Sequence, residues 1–300
     1  NVGGFSKYLN RVISDPVYNK MRSDLDRLMT RLPGILGSRF RELFLQVENA
    51  AKNAVKPGRF FEDLGIRYFG PINGHDIDEL VMILERVKHQ QGPCLVHVLT
   101  EKGRGFTAAE KNPTKYHGCG AFDPESGLPL SPGNPNPSLT NVFGNTLLEL
   151  AKKDKRIIGI TAAMPTGCGL DIVAKELPDR VIDVGIAEEH AVTFAAGMAC
   201  EGVVPVVAIY SSFMQRAYDQ IIHDIALQNL HVVLVLDRAG LVGADGPTHH
   251  GAFDLSFLRT VPGLTLMAPS NENELRDMLT AAIDMEGVVA IRYPRGTSLA

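Results

Sequence analysis

The fold class is decided by residues 181–213, which read VIDVGIAEEHAVTFAAGMACEGVVPVVAIYSSF. Two apolar runs in this stretch, 181–184 and 204–209, are rich in valine and isoleucine and are typical of buried strands. The residues between them, 187–200, predict a long helix. A strand, a helix and a second strand in this order are typical of a parallel sheet covered by helices.

The same alternation continues on both sides of this stretch. Further helices are predicted at 142–153, 170–177, 214–227 and 272–283, and further strands at 156–160, 231–237, 264–267 and 288–293. This pattern predicts an α/β domain whose parallel sheet has helices on both faces.

An earlier part of the chain alternates in the same way. A strand is predicted at 66–69, a turn-rich loop at 70–76, a helix from there to about Lys88, and a buried strand at 94–99. Asp76 has the side chain of an N-cap, and Glu79 completes the spacing of a capping box. Residues 1–60 show the apolar spacing of helices and no strand pattern.

Residues 123–138 interrupt the alternation with five prolines and two glycines, so they predict a linker. We therefore predict two parallel-sheet α/β domains, residues 1–122 and 139–300.

Composition excludes several classes of protein. The 300 residues carry 30 basic and 34 acidic side chains with no basic concentration, which disfavours nucleic-acid binding. The longest apolar runs fall far short of the roughly 20 residues that cross a bilayer. Four separated cysteines without a C-x-x-C pair disfavour a zinc knuckle or a disulfide framework, so a reducing, cytoplasmic setting is expected. Because Asn1 is the first residue, we expect the sequence to be part of a longer chain.

Ligands of open α/β sheets bind beyond the carboxyl ends of the strands, and four predicted strand ends are rich in ionisable and aromatic side chains. These candidates are Glu188, Glu189 and His190; Tyr210, Phe213 and Arg216; Arg238, Asp245 and His249; and Arg295. Each has a structural alternative. Acids favour the first turn of a helix electrostatically, and on spacing alone this explanation is preferred for Glu188 and Glu189. Arg295 suits a phosphate or carboxylate, but equally an exposed salt bridge.

The earlier domain offers weaker signals. Residues 102–106, KGRGF, could admit a polyphosphate close to the backbone, or form a basic turn. His117 could donate a proton near neutral pH, although a histidine in a loop is often only solvated. Asp245-Gly246 followed by Asn271 superficially imitates a metal-diphosphate motif, but Ala244 replaces its first glycine and a predicted strand at 264–267 lies between, so we reject this motif as a metal site.

These strings, in this order, resemble the 1-deoxy-D-xylulose-5-phosphate synthase family of the transketolase superfamily, and the resemblance covers essentially the whole chain. Its most specific parts are VGIAEEHAVT at 184–193, YSSFMQRAYDQ at 210–220, DRAG at 237–240, GADGPTH at 243–249 and RYPRG at 292–296. The resemblance implies a thiamine-diphosphate-binding fold in which residues 1–122 are the back part of the diphosphate-binding domain and 139–300 are the pyrimidine-binding domain. The first domain would be incomplete, with the Mg²⁺ and diphosphate ligands expected upstream of Asn1.

The resemblance also implies an activity. Members condense pyruvate with D-glyceraldehyde 3-phosphate, with loss of CO₂, to give a precursor of isoprenoids, thiamine and pyridoxal. The matching positions would place Glu188 on the aminopyrimidine of thiamine diphosphate, and Phe213, Phe106 and Arg216 beside the cofactor. Arg238, Arg295 and Tyr210 would hold the aldehyde substrate, and Asp245 and His249 would lie by the reacting carbons. His117 would be an active-site histidine on the other side of the cleft.

A cytoplasmic homodimer is expected from the same resemblance. The alternatives are a transketolase, the β-subunit of a 2-oxo-acid dehydrogenase, and a non-catalytic fragment that retains the fold for dimerisation.

Overall fold

The computed structural model describes residues 58–130 and 136–297, and the chain divides into two compact units, Asn1–Ser131 and Pro132–Ala300. The helical prediction for residues 1–57 lies outside the described residues. None of the helices in the described ranges is long and apolar enough to cross a membrane.

The described part of the first unit contains helices α1 (Arg59–Asp63), α2 (Ile77–Val87) and α3 (Thr107–Lys111), and strands β1 (Arg67–Asn73) and β2 (Cys94–Leu99). The two strands pair in parallel, as the alternation predicted. The N-cap of α2 is confirmed, because Asp76 Oδ1 accepts a hydrogen bond of 3.0 Å from the Glu79 N–H.

Two predictions for this unit were wrong. The predicted loop after residue 69 is partly strand, since β1 continues to Asn73. Pairing with β2 resumes at Ile72 after an irregularity that accommodates Gly70 and Pro71, a dipeptide that in isolation indicates a turn. Strand β2 is half-buried rather than buried, and its last residue, Leu99, is exposed.

The described part of the second unit contains the strands β3 (Ile157–Thr161), β4 (Val181–Asp183), β5 (Val204–Tyr210), β6 (Val232–Asp237), β7 (Thr265–Met267) and β8 (Val288–Arg292). They form a six-stranded, wholly parallel sheet with the strand order β4-β3-β5-β6-β8-β7. The α-helices of this part are α4 (Leu139–Lys153), α5 (Leu170–Glu176), α6 (Glu188–Cys200), α7 (Ser211–Met214), α8 (Tyr218–Gln220), α9 (Asp254–Leu258) and α10 (Glu272–Asp284).

Two hydrophobic clusters cover the two faces of this sheet. One packs α4, α5 and α10 against the strands, and the other packs α6, α9 and the helical segment after β5. Strand β6 is fully buried along its length, as expected for a central strand covered on both faces. The predicted α/β class, with helices on both faces of a parallel sheet, is therefore confirmed.

The prediction of one continuous helix at 214–227 was wrong. The segment begins at Ser211 and changes its winding, from α7 to a 3₁₀ turn (Gln215–Ala217), to α8 and then to a π-helical stretch (Ile221–Ala226). All three windings place residues three to five apart on one face. Hydrophobic spacing therefore could not distinguish them.

Candidate active site

The loops after the central strands meet at one edge of the second sheet, because the carboxyl ends of parallel strands share that edge. A cavity of about 600 Å³ opens there. It is lined by Ser138, Thr140, Asn141, Thr166, Gly167, Arg238, Val242, Ala244, Arg295, Gly296 and Thr297.

Glu188 is a buried acid at the start of α6. Its side chain is 2% exposed, and its Oε1 accepts a hydrogen bond of 2.5 Å from Nη1 of Arg216. Arg216 lies in the 3₁₀ turn after β5, and half of its side chain is exposed. The neighbours Glu189 and His190 are exposed, so the helix buries only the first of the two acids.

Three aromatic rings lie beside this ion pair. The Phe213 ring stacks on that of Tyr210 with 5.6 Å between centroids, and the His249 ring meets it edge-on at 5.2 Å. The guanidinium carbon of Arg216 lies 5.1 Å from the centroid of Phe213. The structure thus brings together five candidates that are spread over more than 60 residues of sequence: Glu188, Tyr210, Phe213, Arg216 and His249.

Arg238 lines the cavity and is restrained by its backbone and its side chain. Its φ is +61°, in the left-handed region that non-glycine residues seldom adopt. Its Cζ lies 3.8 Å from the centroid of the Tyr210 ring, and its Nη1 donates to the carbonyl oxygen of Gly167 at 2.7 Å. Its Nε donates to Asp245 Oδ2 at 3.3 Å.

Asp245 joins the two cavity arginines. Its Oδ2 accepts from Arg238, and its Oδ1 accepts from Nη1 of Arg295. Arg295 is 45% exposed, whereas Arg238 is 14% exposed. The cavity therefore has one mostly buried and one half-exposed guanidinium, and both contact the carboxylate of Asp245.

Tyr210 contributes a neutral hydroxyl to this region. Burial raises the pKa of Tyr210 to about 12, against the opposing effect of the Arg238 charge. Gly167 lies so close that an added Cβ would be 1.9 Å from the Tyr210 hydroxyl oxygen. Only glycine fits at residue 167 while the Tyr210 ring keeps this position.

Sequence reasoning missed two polar residues at the cavity, Thr140 in its lining and Asp237 behind Arg238. Asp237, the fully buried last residue of β6, accepts a hydrogen bond of 2.7 Å at Oδ2 from Thr140 Oγ1. Burial raises the pKa of the Asp237 carboxyl, and the Thr140 hydroxyl and the Arg238 charge oppose this rise. An acid that ends a run of five apolar residues, 232–236, was the available signal.

The remaining candidates lie in the first unit. Phe106 precedes α3 and packs against the rings of Tyr116 and Phe122, with centroids 5.5 and 5.6 Å away. His117 is exposed in a loop, where its backbone N–H donates a hydrogen bond to the backbone carbonyl of Thr114. Arg104 of the KGRGF string forms an ion pair of 2.7 Å with Glu101, so part of its charge is balanced locally.

Comparison with known proteins assigns a class to the second unit. The family model of the transketolase pyrimidine-binding domain matches residues 136–298. The solved transketolase from Campylobacter jejuni subsp. jejuni NCTC 11168 is 18% identical with a TM-score of 0.51, over 82% of this chain and 49% of that chain. The fold is that of a transketolase-like thiamine-diphosphate protein.

Closer relatives define the family. The model named 1-deoxy-D-xylulose-5-phosphate synthase matches residues 1–100. The synthase of Syntrophus aciditrophicus (strain SB) is 51% identical over 100% of this chain and 46% of the relative, and that of Thiobacillus denitrificans (strain ATCC 25259 / T1) is 54% identical over 99% and 47%. The chain belongs to the 1-deoxy-D-xylulose-5-phosphate synthase family. It spans about half the length of the curated relatives it matches.

Proposed function

We propose that the protein carrying this chain condenses pyruvate with D-glyceraldehyde 3-phosphate, with loss of CO₂, to give 1-deoxy-D-xylulose 5-phosphate. The observation that carries the proposal is one sheet edge with a buried carboxylate, Glu188, near an aromatic ring and a cavity with two arginines, Arg238 and Arg295. These features suit a cofactor with a basic heterocycle and a substrate with a phosphate. The names of the relatives support the same activity.

The residues around Glu188 fit thiamine diphosphate. The Glu188 carboxylate is 2% exposed, and its ion-pair partner, Arg216, is half-exposed. Such a carboxylate is suited to accept a hydrogen bond from a ring N–H of the cofactor. Phe213 is half-buried and would pack against the aminopyrimidine ring. When bound, thiamine diphosphate supplies the electron sink for breaking and forming the carbon–carbon bonds. Glu188 would hold a proton at the ring nitrogen.

The cavity would hold the aldehyde substrate. Arg238 and Arg295 offer guanidinium groups to its phosphate, and the neutral Tyr210 hydroxyl can donate a hydrogen bond nearby. His249 is half-buried, with Nδ1 3.0 Å from Thr248 Oγ1, and would exchange protons with the substrate oxygens. Asp245 would lie beside the reacting carbons and hold both arginines in place.

Four further assignments belong to the same proposal. Mg²⁺ would offset the negative charge of the cofactor diphosphate. Phe106 and His117 would act from the diphosphate-binding domain, which we assign to residues 1–122, with 123–138 as linker and 139–300 as pyrimidine-binding domain. The protein would work as a homodimer in the cytoplasm. Sedimentation analysis would test the homodimer.

A product assay tests the activity. The protein carrying this chain, with Mg²⁺ and thiamine diphosphate, is incubated with pyruvate and D-glyceraldehyde 3-phosphate, and the product is identified by mass spectrometry. Formation of 1-deoxy-D-xylulose 5-phosphate supports the proposal. Ketose transfer without pyruvate consumption would indicate a transketolase, and release of CO₂ without condensation would indicate a 2-oxo-acid dehydrogenase component. No turnover of any of these substrates would support a non-catalytic role.

A further inference from the structure

A buried acid lies directly behind the arginine that lines the cavity. Asp237 ends β6, is fully buried, and has Oδ1 3.3 Å from Nη1 of Arg238. Its other oxygen, Oδ2, is fixed by the Thr140 hydroxyl at 2.7 Å. The carboxylate is thus held between the first helix of the second unit and the adjoining arginine.

The sheet itself does not require an acid at this position. The five residues before Asp237 in β6 are all apolar and buried. A carboxylate in such surroundings is costly to desolvate, and a buried pair is often no more stabilising than apolar side chains of similar volume. Removing one partner of such a pair is nevertheless destabilising, because the other charge stays buried. Because apolar side chains could stabilise this position equally well, the presence of the Asp237–Arg238 pair suggests a role in orienting Arg238.

The other restraints on Arg238 are of a different kind. The Tyr210 ring packs against one face of the guanidinium, and the Gly167 carbonyl accepts from the same Nη1 atom that approaches Asp237. Asp245 lies in a 3₁₀ turn and divides its two oxygens between Arg238 and the half-exposed Arg295. Two carboxylates contact Arg238. Asp237 is fully buried and is hydrogen-bonded to Thr140 of α4, whereas Asp245 is partly exposed.

We propose that Asp237, anchored by Thr140, is a positioning residue that directs the Arg238 guanidinium into the cavity and so sets its affinity for phosphate. This inference rests on the proposed function, because it assumes that the cavity holds the phosphate of the substrate. Asp237 acts through Arg238 and touches no substrate atom itself.

Direct binding of inorganic phosphate to the chain tests the proposal without any turnover. Isothermal titration would compare the unchanged chain with Asp237→Asn, Thr140→Val and Thr140→Ser. We expect about tenfold weaker phosphate binding for Asp237→Asn, since the neutral amide no longer attracts the Arg238 guanidinium as the buried carboxylate does. Thr140→Val should weaken binding by a smaller factor, and Thr140→Ser, which retains the hydroxyl, should restore it.

A second buried acid provides the matched control. Asp254 is 1% exposed and pairs with Nε of Arg292 at 2.8 Å, and neither residue lines the cavity. Asp254→Asn should lower the melting temperature without changing phosphate affinity. Equal weakening of phosphate binding in Asp254→Asn and Asp237→Asn would overturn the proposal, because both effects would then be structural.

Kinetics of the complete enzyme separate positioning from general damage. Asp237→Asn should raise KM for D-glyceraldehyde 3-phosphate about tenfold, leave kcat within about twofold, and leave KM for unphosphorylated D-glyceraldehyde unchanged. If the unchanged protein binds no phosphate, the phosphate site of the proposed function fails. If it binds phosphate and both Asp237→Asn and Thr140→Val bind it equally well, only the positioning role fails. Thr140→Val keeps the test valid should Asp237→Asn not fold.

Discussion

Nη1 of Arg216 lies 2.5 Å from Oε1 of Glu188, so the buried acid of α6 has its charge balanced by an arginine 28 residues away. A buried carboxylate without such a partner is strongly destabilising. Because half of the Arg216 side chain remains exposed, the pair stays within reach of a ligand that approaches Phe213. The stability of α6 and the chemistry of the site therefore depend on the same carboxylate.

Glu188→Gln should lower synthase activity about 10²–10⁴-fold, because the neutral amide cannot hold a proton at the ring nitrogen of the cofactor. Steady-state kcat with saturating thiamine diphosphate measures the effect. Glu189→Gln is the control, since Glu189 is the exposed neighbour in the same turn. If both variants lose activity equally, the role assigned to Glu188 is wrong.

Phe213→Leu should weaken thiamine diphosphate binding about three- to tenfold, because an aromatic ring contact contributes about 0.5–1.5 kcal/mol beyond burial. Titration calorimetry with Mg²⁺ present gives the dissociation constant. The comparison variant is Phe257→Leu, whose ring contacts Tyr218 rather than Tyr210 or His249. An unchanged dissociation constant for Phe213→Leu would rule out the stacking role.

Arg295→Ala should raise KM for D-glyceraldehyde 3-phosphate about tenfold or more, because a charge-assisted hydrogen bond to phosphate is lost. The melting temperature should hardly change, since an exposed ion pair contributes little. Arg259→Ala removes another exposed arginine outside the cavity and controls for net charge. A similar rise in KM for both variants would point to a general electrostatic effect.

Thr193→Val should make the second unit less stable at neutral pH, and this loss of stability should disappear in acid. Thr193 Oγ1 donates to Asp224 Oδ2 at 2.5 Å, and this hydrogen bond is the main cause that lowers the pKa of the Asp224 carboxyl. A lowered folded-state pKa stabilises the protein above the unfolded value, and this contribution is lost as the pH falls through the folded value.

Melting temperatures between pH 7 and pH 3 test this pH dependence. At neutral pH the free energy of unfolding of Thr193→Val should be lower than that of the unchanged protein by about 1 kcal/mol or less, because solvent screens the pair. This deficit in stability should shrink as Asp224 becomes protonated. Thr193→Ser retains the hydroxyl and should behave as the unchanged protein. A deficit that is constant with pH would mean that the threonine acts by packing alone.

The sequence pattern predicted the parallel sheet and the edge that bears the site. Valine-rich runs such as 232–236 are typical of central strands that are buried on both faces. Because ligands of open α/β sheets bind beyond the carboxyl ends of the strands, the loops after these strands could be predicted to form the site. Pattern could not predict side-chain partners that are distant in sequence. Thr140 and Asp237 are 97 residues apart, and only the packing of α4 beside β6 brings them together.

The sequence could not assign roles to individual site residues for a different reason. Glu188 fits the positive end of a helix and the ring of a cofactor equally well, so spacing alone could not separate the two explanations. In the structure, the burial of Glu188 and the exposure of Glu189 distinguish the two acids. The assignments of catalytic and binding roles stay predictions until the variants above are measured.

The two outermost strands of the six-stranded sheet, β4 and β7, have three residues each. Unpaired strand edges can recruit other chains into aggregates, and short edges offer little template for such growth. The second unit can therefore keep long, strongly apolar central strands such as β5 and β6 without exposing a surface that promotes amyloid-like assembly.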